Sequence, residues 1–186
     1  TGDNTEDVTD LLPGIHTVAI TDSCGTVILD SILINEPLPL TTTMASNNAT
    51  CHGLGNGSAT VTVSGGTPPF NYTWNNGQFT STSIGMFPGN YSVNIIDINS
   101  CLVTDLVTIT EPDAIELTIT VVDATCNNSD GSISANVTGG VTPYVYSWSS
   151  GGTSSSESSL VGGTYNLLLT DDNGCMDSAS ATVPIT

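Results

Sequence analysis

A ten-residue stretch, Gly65-Gly66-Thr67-Pro68-Pro69-Phe70-Asn71-Tyr72-Thr73-Trp74, returns as Gly139-Gly140-Val141-Thr142-Pro143-Tyr144-Val145-Tyr146-Ser147-Trp148. Gly65 and Gly139, Pro69 and Pro143, and Trp74 and Trp148 each lie 74 residues apart. A glycine turn followed by an aromatic alternation, repeated at one period, marks an array of small domains. A second landmark recurs three times: Leu11-Leu12-Pro13-Gly14 to Asp22, Met86-Phe87-Pro88-Gly89 to Asp97, and Leu160-Val161-Gly162-Gly163 to Asp171. Glu36-Pro37 and Glu111-Pro112, 75 apart, mark unit ends, because proline ends a strand ladder. The units are therefore 1–37, 38–112 and 113–186, the first being the back half of a repeat that lacks the Gly-Gly stretch. Half a sandwich has half a core. The chain is expected to continue N-terminally, or a neighbouring chain to complete this half. The joints are short, so the units should stack as a semi-rigid rod.

Within a unit the apolar residues alternate. Ala59, Val61 and Val63 share one face, Phe70, Tyr72 and Trp74 another, and Tyr91, Val93 and Ile95 a third. Asn76-Gly77 is a hairpin signal. No helical period occurs. Short strands with Gly, Pro and Asn turns predict an all-β fold of tandem immunoglobulin-like or PKD-like β-sandwich repeats of about 75 residues.

Cys51 and Cys126 open equivalent segments, and Cys101 and Cys175 close them. One disulfide per unit is expected, Cys51–Cys101 and Cys126–Cys175, with Cys24 closing an earlier unit and pairing outside the chain. That pairing sets both cysteines at one end of a unit and needs an even strand count, whereas end-to-end stacking needs an odd one. One connection, 46–57 or 79–90, is then expected to cross the domain as a loop.

The chain carries 18 acidic residues and no Lys or Arg, a net charge of -18. Such a surface cannot neutralise phosphates, which argues against nucleic acid and against anionic membranes. No apolar run reaches the about 20 residues that a membrane helix needs, and none reads as a signal peptide. An acidic coat suits a soluble secreted surface in salt, or one that recruits calcium. Asp22, Asp97 and Asp171-Asp172 end equivalent strands. They read first as turn formers accepting backbone N–H bonds and second as calcium ligands, a role for which Asp97-Ile98-Asn99-Ser100 supplies too few oxygens alone. A second candidate calcium site is a joint between units, where Glu36, Glu111 or Asp113 would converge with a neighbour's turn.

His16 stands where the other copies have tyrosine, and is expected to pack at a sandwich edge; His52 is expected to be solvated. No metal spacing of Cys and His and no Ser-His-Asp signature is present, so catalysis is not expected. Phe70, Tyr72 and Trp74 fit core packing better than a sugar-stacking platform, because each unit copies them. Asn48, Asn56, Asn71, Asn90 and Asn136 open Asn-x-Ser/Thr sequons, expected of any chain this rich in Ser, Thr and Asn.

The combination Cys…Gly-Gly-x-x-Pro-(Phe/Tyr)-x-Tyr-x-Trp…Gly-x-Tyr-x-(Val/Leu)-x-(Ile/Leu)-x-Asp…Cys…Glu-Pro resembles the SprB repeat of very large cell-surface adhesins of Bacteroidota. The resemblance covers essentially the whole chain. It departs at His16, and at Val183-Pro184, which lacks the acidic residue of the Glu-Pro unit end. It implies type 9 secretion, a bacterial cell-surface location, and a stalk role in adhesion or gliding without catalytic activity. The partners implied are neighbouring repeats of one long chain. The alternatives are a homo-oligomeric filament whose subunits complete residues 1–37, and a carbohydrate-binding module. Asp30-Ser31-Ile32 and Asp177-Ser178-Ala179 resemble the O-glycosylation motif of Bacteroidota, which would place glycans on Ser31 and Ser178.

Overall fold

The structure is a computed structural model that describes residues 8–126 and 128–186. The first seven residues of the expected half unit lie outside the described residues. The described residues form strands and turns with no helix. A lone hairpin comes first, β1 (Gly14–Thr21) with β2 (Val27–Ile34). Two sandwiches of six strands follow. The first is built from β3 (Thr41–Asn47), β4 (Gly57–Ser64), β5 (Asn71–Trp74), β6 (Thr82–Met86), β7 (Gly89–Ile96) and β8 (Leu102–Ile109). The second repeats it with β9 (Glu116–Val122), β10 (Gly131–Thr138), β11 (Val145–Trp148), β12 (Ser156–Leu160), β13 (Gly163–Thr170) and β14 (Met176–Val183). Each sandwich packs two three-stranded sheets, β3-β4-β6 on β5-β7-β8 and β9-β10-β12 on β11-β13-β14.

The cores correspond position by position. Ala59, Val61, Trp74, Met86, Val93 and Ile109 fill the first, and Ile133, Ala135, Trp148, Leu160, Leu167 and Val183 the second. Ala59 is exchanged for Ile133 where Val61 is exchanged for Ala135, so volume lost at one site is regained beside it. A core tolerates such a compensated swap. Both indoles are buried with their N–H satisfied, Trp74 Nε1 donating to Thr80 O and Trp148 Nε1 to Ser154 O, each at 2.8 Å.

Strand direction decides where the ends of each sandwich lie. Thr41 pairs with Ser64 at the near pole, and Asn47 with Ser58 at the far pole. β5 runs toward the far pole against β7, and β6 runs the same way against β4. The two make a single pass that changes sheet over residues 75–81, where the backbone turns at Gly77 (φ 85°). Each sandwich thus has five passes, an odd number. The chain enters at one pole and leaves at the other with no loop crossing the domain. The expected crossing at 46–57 or 79–90 is absent: residue 49 stays at the far pole, where its N–H donates to Thr110 O at 2.9 Å. First and last strands end side by side and parallel there, as Ala124 and Ile185 show in the second sandwich.

The Gly-Gly stretch ties each sandwich to the segment entering it. Gly65 and Gly139 have φ near +71° and +72°. A Cβ at either would lie 2.0 Å from Pro39 O or 1.8 Å from Ala114 O, so no side chain fits. Beside them, the Gly66 N–H donates to Leu38 O and the Gly140 N–H to Asp113 O. The joint segment before each sandwich is held against that sandwich's own turn.

Candidate functional site

The five-pass topology carries Cys51 and Cys101 to opposite poles. Cys51 follows β3 at the far pole; Cys101 precedes β8 at the near pole. The eight residues of β8 between those poles span roughly 25 Å, and a disulfide needs Cα atoms within about 7 Å. The expected pairs Cys51–Cys101 and Cys126–Cys175 are therefore not formed. Cys51 is bonded instead to Cys175 across the joint, with Cα atoms 5.7 Å apart and 124 residues between them in sequence. Closing a loop of that length contributes about 5 kcal/mol in the chain-entropy model.

Cys24, Cys101 and Cys126 are free and exposed. Cys24 is also not the counterpart of Cys101. The Asp22 carboxylate accepts from the N–H of Cys24 and Thr26, as Asp97 accepts from Asn99 and Cys101. Cys24 thus holds the place of Asn99 and Asn173, two residues short of the closing position, which Thr26 occupies.

The cysteines of the bond sit on turns with fixed shapes. On the closing side, Asp171 is buried, and its Oδ1 accepts from the N–H of Asn173 and Cys175, while Oδ2 accepts from Val141. The same three bonds recur at Asp97, from Asn99, Cys101 and Thr67. On the opening side, the Asn56 carboxamide oxygen accepts from Thr50 N–H, and Asp130 Oδ1 accepts from Thr125 N–H in the next repeat. Both loops are pinned just before their cysteine. Across the joint, Asn173 Nδ2 donates to Thr50 O at 2.8 Å, one residue from Cys51.

Glu111 completes the joint. Its Oε2 accepts from the Gly53 N–H, and its Oε1 lies 3.4 Å from His52 Nδ1. His52 is therefore solvent-exposed, as expected, but next to a carboxylate. A cleft of about 520 Å³ opens beside the bond, lined by His52, Leu54, Asp113, Ile115, Asp171 and Asp177 among others. Ile185 stands at the corresponding place in the second sandwich, so the Glu111 contact has no counterpart there.

The titrating groups respond to these turns. Burial opposes charge on Asp97, but the N–H bonds from Cys101, Thr67 and Asn99 outweigh it and hold its carboxyl below the usual value. Asp22 is lowered by the N–H of Thr26 and then of Cys24. Asp130 is lowered by the Thr125 hydroxyl and then its N–H. The Cys101 thiol is pushed up by burial and then by the Asp97 charge.

The remaining expected sites find structural places. The carboxylates proposed as calcium ligands are filled with backbone N–H bonds, apart from the exposed Asp172. Among the described residues no three His, Cys, Asp or Glu side chains gather as metal ligands. Trp74 is buried, and Phe70 and Tyr72 pack against the core, so these aromatics offer no sugar platform. Ser31 and Ser178 are exposed on β2 and β14. His16 reproduces the contact of the tyrosines it replaces: its Nε2 lies 2.6 Å from Leu12 O, where Tyr91 and Tyr165 donate to the carbonyls of Phe87 and Val161.

The sequence model of the SprB repeat matches residues 43–79 and 118–153, each spanning the opening strand, the opening cysteine and the Gly-Gly-to-Trp stretch. These two segments match the SprB repeat. No curated protein matches the chain. Among solved structures the chain is similar to the eight N-terminal Ig domains of Down Syndrome Cell Adhesion Molecule isoform 1.30.30, with 12% identity and a TM-score of 0.46. That alignment covers 94% of this chain and 28% of that one. It is also similar to the four N-terminal Ig domains of Dscam1 isoform 6.44, with 14% identity, a TM-score of 0.35, and 88% and 52% covered. The two units that carry the SprB matches are β-sandwiches joined pole to pole by a peptide link and a disulfide.

Proposed function

We propose that this chain is an extracellular stalk segment of a repetitive bacterial surface adhesin, carrying load between the cell and a distal adhesive region. The observation that carries the reading is the Cys51–Cys175 bond across the joint. Tension along the chain passes through β3 to Cys51, over the bond to Cys175, and out through β14. Everything between the two cysteines lies off that covalent path. The fold supports the same reading, because the repeated aromatics Phe70, Tyr72, Trp74, Tyr146 and Trp148 are spent on cores. The net charge of -18 keeps neighbouring stalks apart in a saline medium. SprB repeats belong to surface adhesins, which supports secretion through the type 9 system and a cell-surface location.

Single-molecule pulling of the full chain between its termini tests the reading. In the oxidised chain the segment from Cys51 to Cys175 should add no length at any force that leaves the bond intact. After reduction the same segment, with its sequence separation of 124, should add roughly 400 Å when unfolded. Release of that length from the oxidised chain, or specific binding to a glycan array, would overturn the stalk reading.

A second reading is favoured by the hairpin β1–β2, whose Val18 and Ile20 are 54% and 58% exposed. In it, chains assemble into a filament and the front half of a repeat from another chain covers that face. Light scattering of the full chain separates the two: a monomer supports the stalk, and a growing assembly the filament.

A further inference from the structure

The bond at the joint joins the opening cysteine of one SprB repeat to the closing cysteine of the next, and each repeat carries both. We infer that this is one rung of a regular pattern, in which Cys126 bonds the closing cysteine of a following SprB repeat and Cys101 the opening cysteine of a preceding one. The pattern stands apart from the stalk reading, since it concerns connectivity whatever force the chain bears.

Two sets of observations carry it. The first is that both half-sites already have their bonded shape. Cys101 N–H donates to Asp97 Oδ1 at 2.8 Å, as Cys175 N–H does to Asp171 Oδ1 at 2.8 Å. Asn99 stands where Asn173 reaches Thr50 across the joint. The loop before Cys126 is pinned by Asp130 as the loop before Cys51 is pinned by Asn56. The second is placement. Cys126 lies at the far pole of its sandwich, its N–H donating to Thr186 O at 3.0 Å. Cys101 lies at the near pole of the other. Neither can reach a cysteine of its own repeat, and both are free and exposed at the surface that a neighbouring repeat would meet.

The chemistry is thiol–disulfide exchange with a low-molecular-weight disulfide as oxidant. One thiolate attacks the oxidant and releases its first thiol; the second thiolate attacks the mixed disulfide and releases the other. Two protein thiols lose two protons and two electrons, and the oxidant becomes two thiols. The outcome is an array with two covalent links at every joint, one peptide and one disulfide. The three middle passes of each repeat, between opening and closing cysteines, then lie outside both lines of tension.

The test extends the full chain at its C-terminus with a second copy of residues 113–186 and refolds it in mixed oxidised and reduced glutathione. Trypsin has no site, as Lys and Arg are absent, so the bonds are mapped with proteases that cut at Asp and Glu. The expected result keeps Cys51–Cys175, adds a bond from Cys126 to the added copy's counterpart of Cys175, and removes Cys126 from the alkylatable pool. Cys126→Ser should restore a free thiol at that counterpart and leave Cys51–Cys175 in place. A bond within one repeat, such as Cys126–Cys175, would overturn the pattern. So would a Cys126 that stays alkylatable in the folded, oxidised chain.

Discussion

The hairpins β1–β2 and β7–β8 are built alike. Gly14 pairs with Ile34 as Gly89 pairs with Ile109, the first of eight matched rungs in each. Each begins after a Pro-Gly or Pro-Gly-like corner, and each turns at an aspartate that accepts backbone N–H bonds. Yet Val93 and Ile95 are fully buried, while their counterparts Val18 and Ile20 are more than half exposed. Pairing and turn chemistry are local and survive without a partner sheet. Burial is supplied by the front half of the repeat, the segment that contains the Gly-Gly-to-Trp stretch.

The largest test of that contrast removes the front half's anchor. Trp74→Ala should cost the first sandwich about 3–5 kcal/mol, the range for deleting a buried aromatic side chain. Val18→Ala in the hairpin should cost less than about 0.5 kcal/mol, as for a surface change. Urea unfolding followed by circular dichroism measures the first, and amide exchange at β1 the second. If Val18→Ala matched Val93→Ala, the hairpin would be covered in solution and the contrast would fail. Next in size is the joint. Cys51→Ser should cost the two sandwiches about 2–5 kcal/mol, and leave exchange at β1–β2, outside the closed loop, unchanged.

Acid should blur the difference between the hairpins from the other side. The Asp97 carboxyl is lowered in the folded chain, because three N–H bonds favour its charged form over the burial that opposes it. A lowered carboxylate contributes stability that is present above its unfolded value of about 3.9. That contribution is lost as pH falls through the folded value. Asp22 is shifted the same way, so both turns should loosen on acidification. Asp97→Asn should flatten the acid limb of the sandwich's stability curve, whereas Asp22→Asn should alter only hairpin exchange. Asp97→Asn should also speed alkylation of Cys101 near pH 8, since burial still raises its thiol but the neighbouring charge that adds to it is gone.

The sequence made the period, the strands and the core positions legible, because alternation of Val61, Trp74 and Val93 maps directly onto a pleated sheet. It also exposed its own error. Pairing Cys51 with Cys101 demanded an even number of passes, and stacking demanded an odd one. The structure keeps the odd count and gives up the pairing. What hid the answer was the pass shared by β5 and β6, which changes sheet midway across Asn76-Gly77, a dipeptide that signals a hairpin between two paired strands where the structure has none. Cys24 was misplaced for a related reason. Spacing alone cannot tell position two of an aspartate turn from position four, whereas the N–H bonds to Asp22 do.

The smallest test concerns the corner where the tyrosine of one hairpin becomes a histidine in the other. Tyr91 donates to Phe87 O at 2.9 Å, and its ring packs against the first core. Tyr91→Phe keeps the ring and removes the hydrogen bond, which should cost about 1 kcal/mol. His16 makes the corresponding contact with Leu12 O, but no sheet lies over it. Its hydrogen bond competes with water at both partners, so His16→Phe should leave hairpin exchange near its original rate. If His16→Phe frayed β1 as strongly as Tyr91→Phe destabilises β7, the corner itself, and not the sheet laid over it, would be holding the hairpin together.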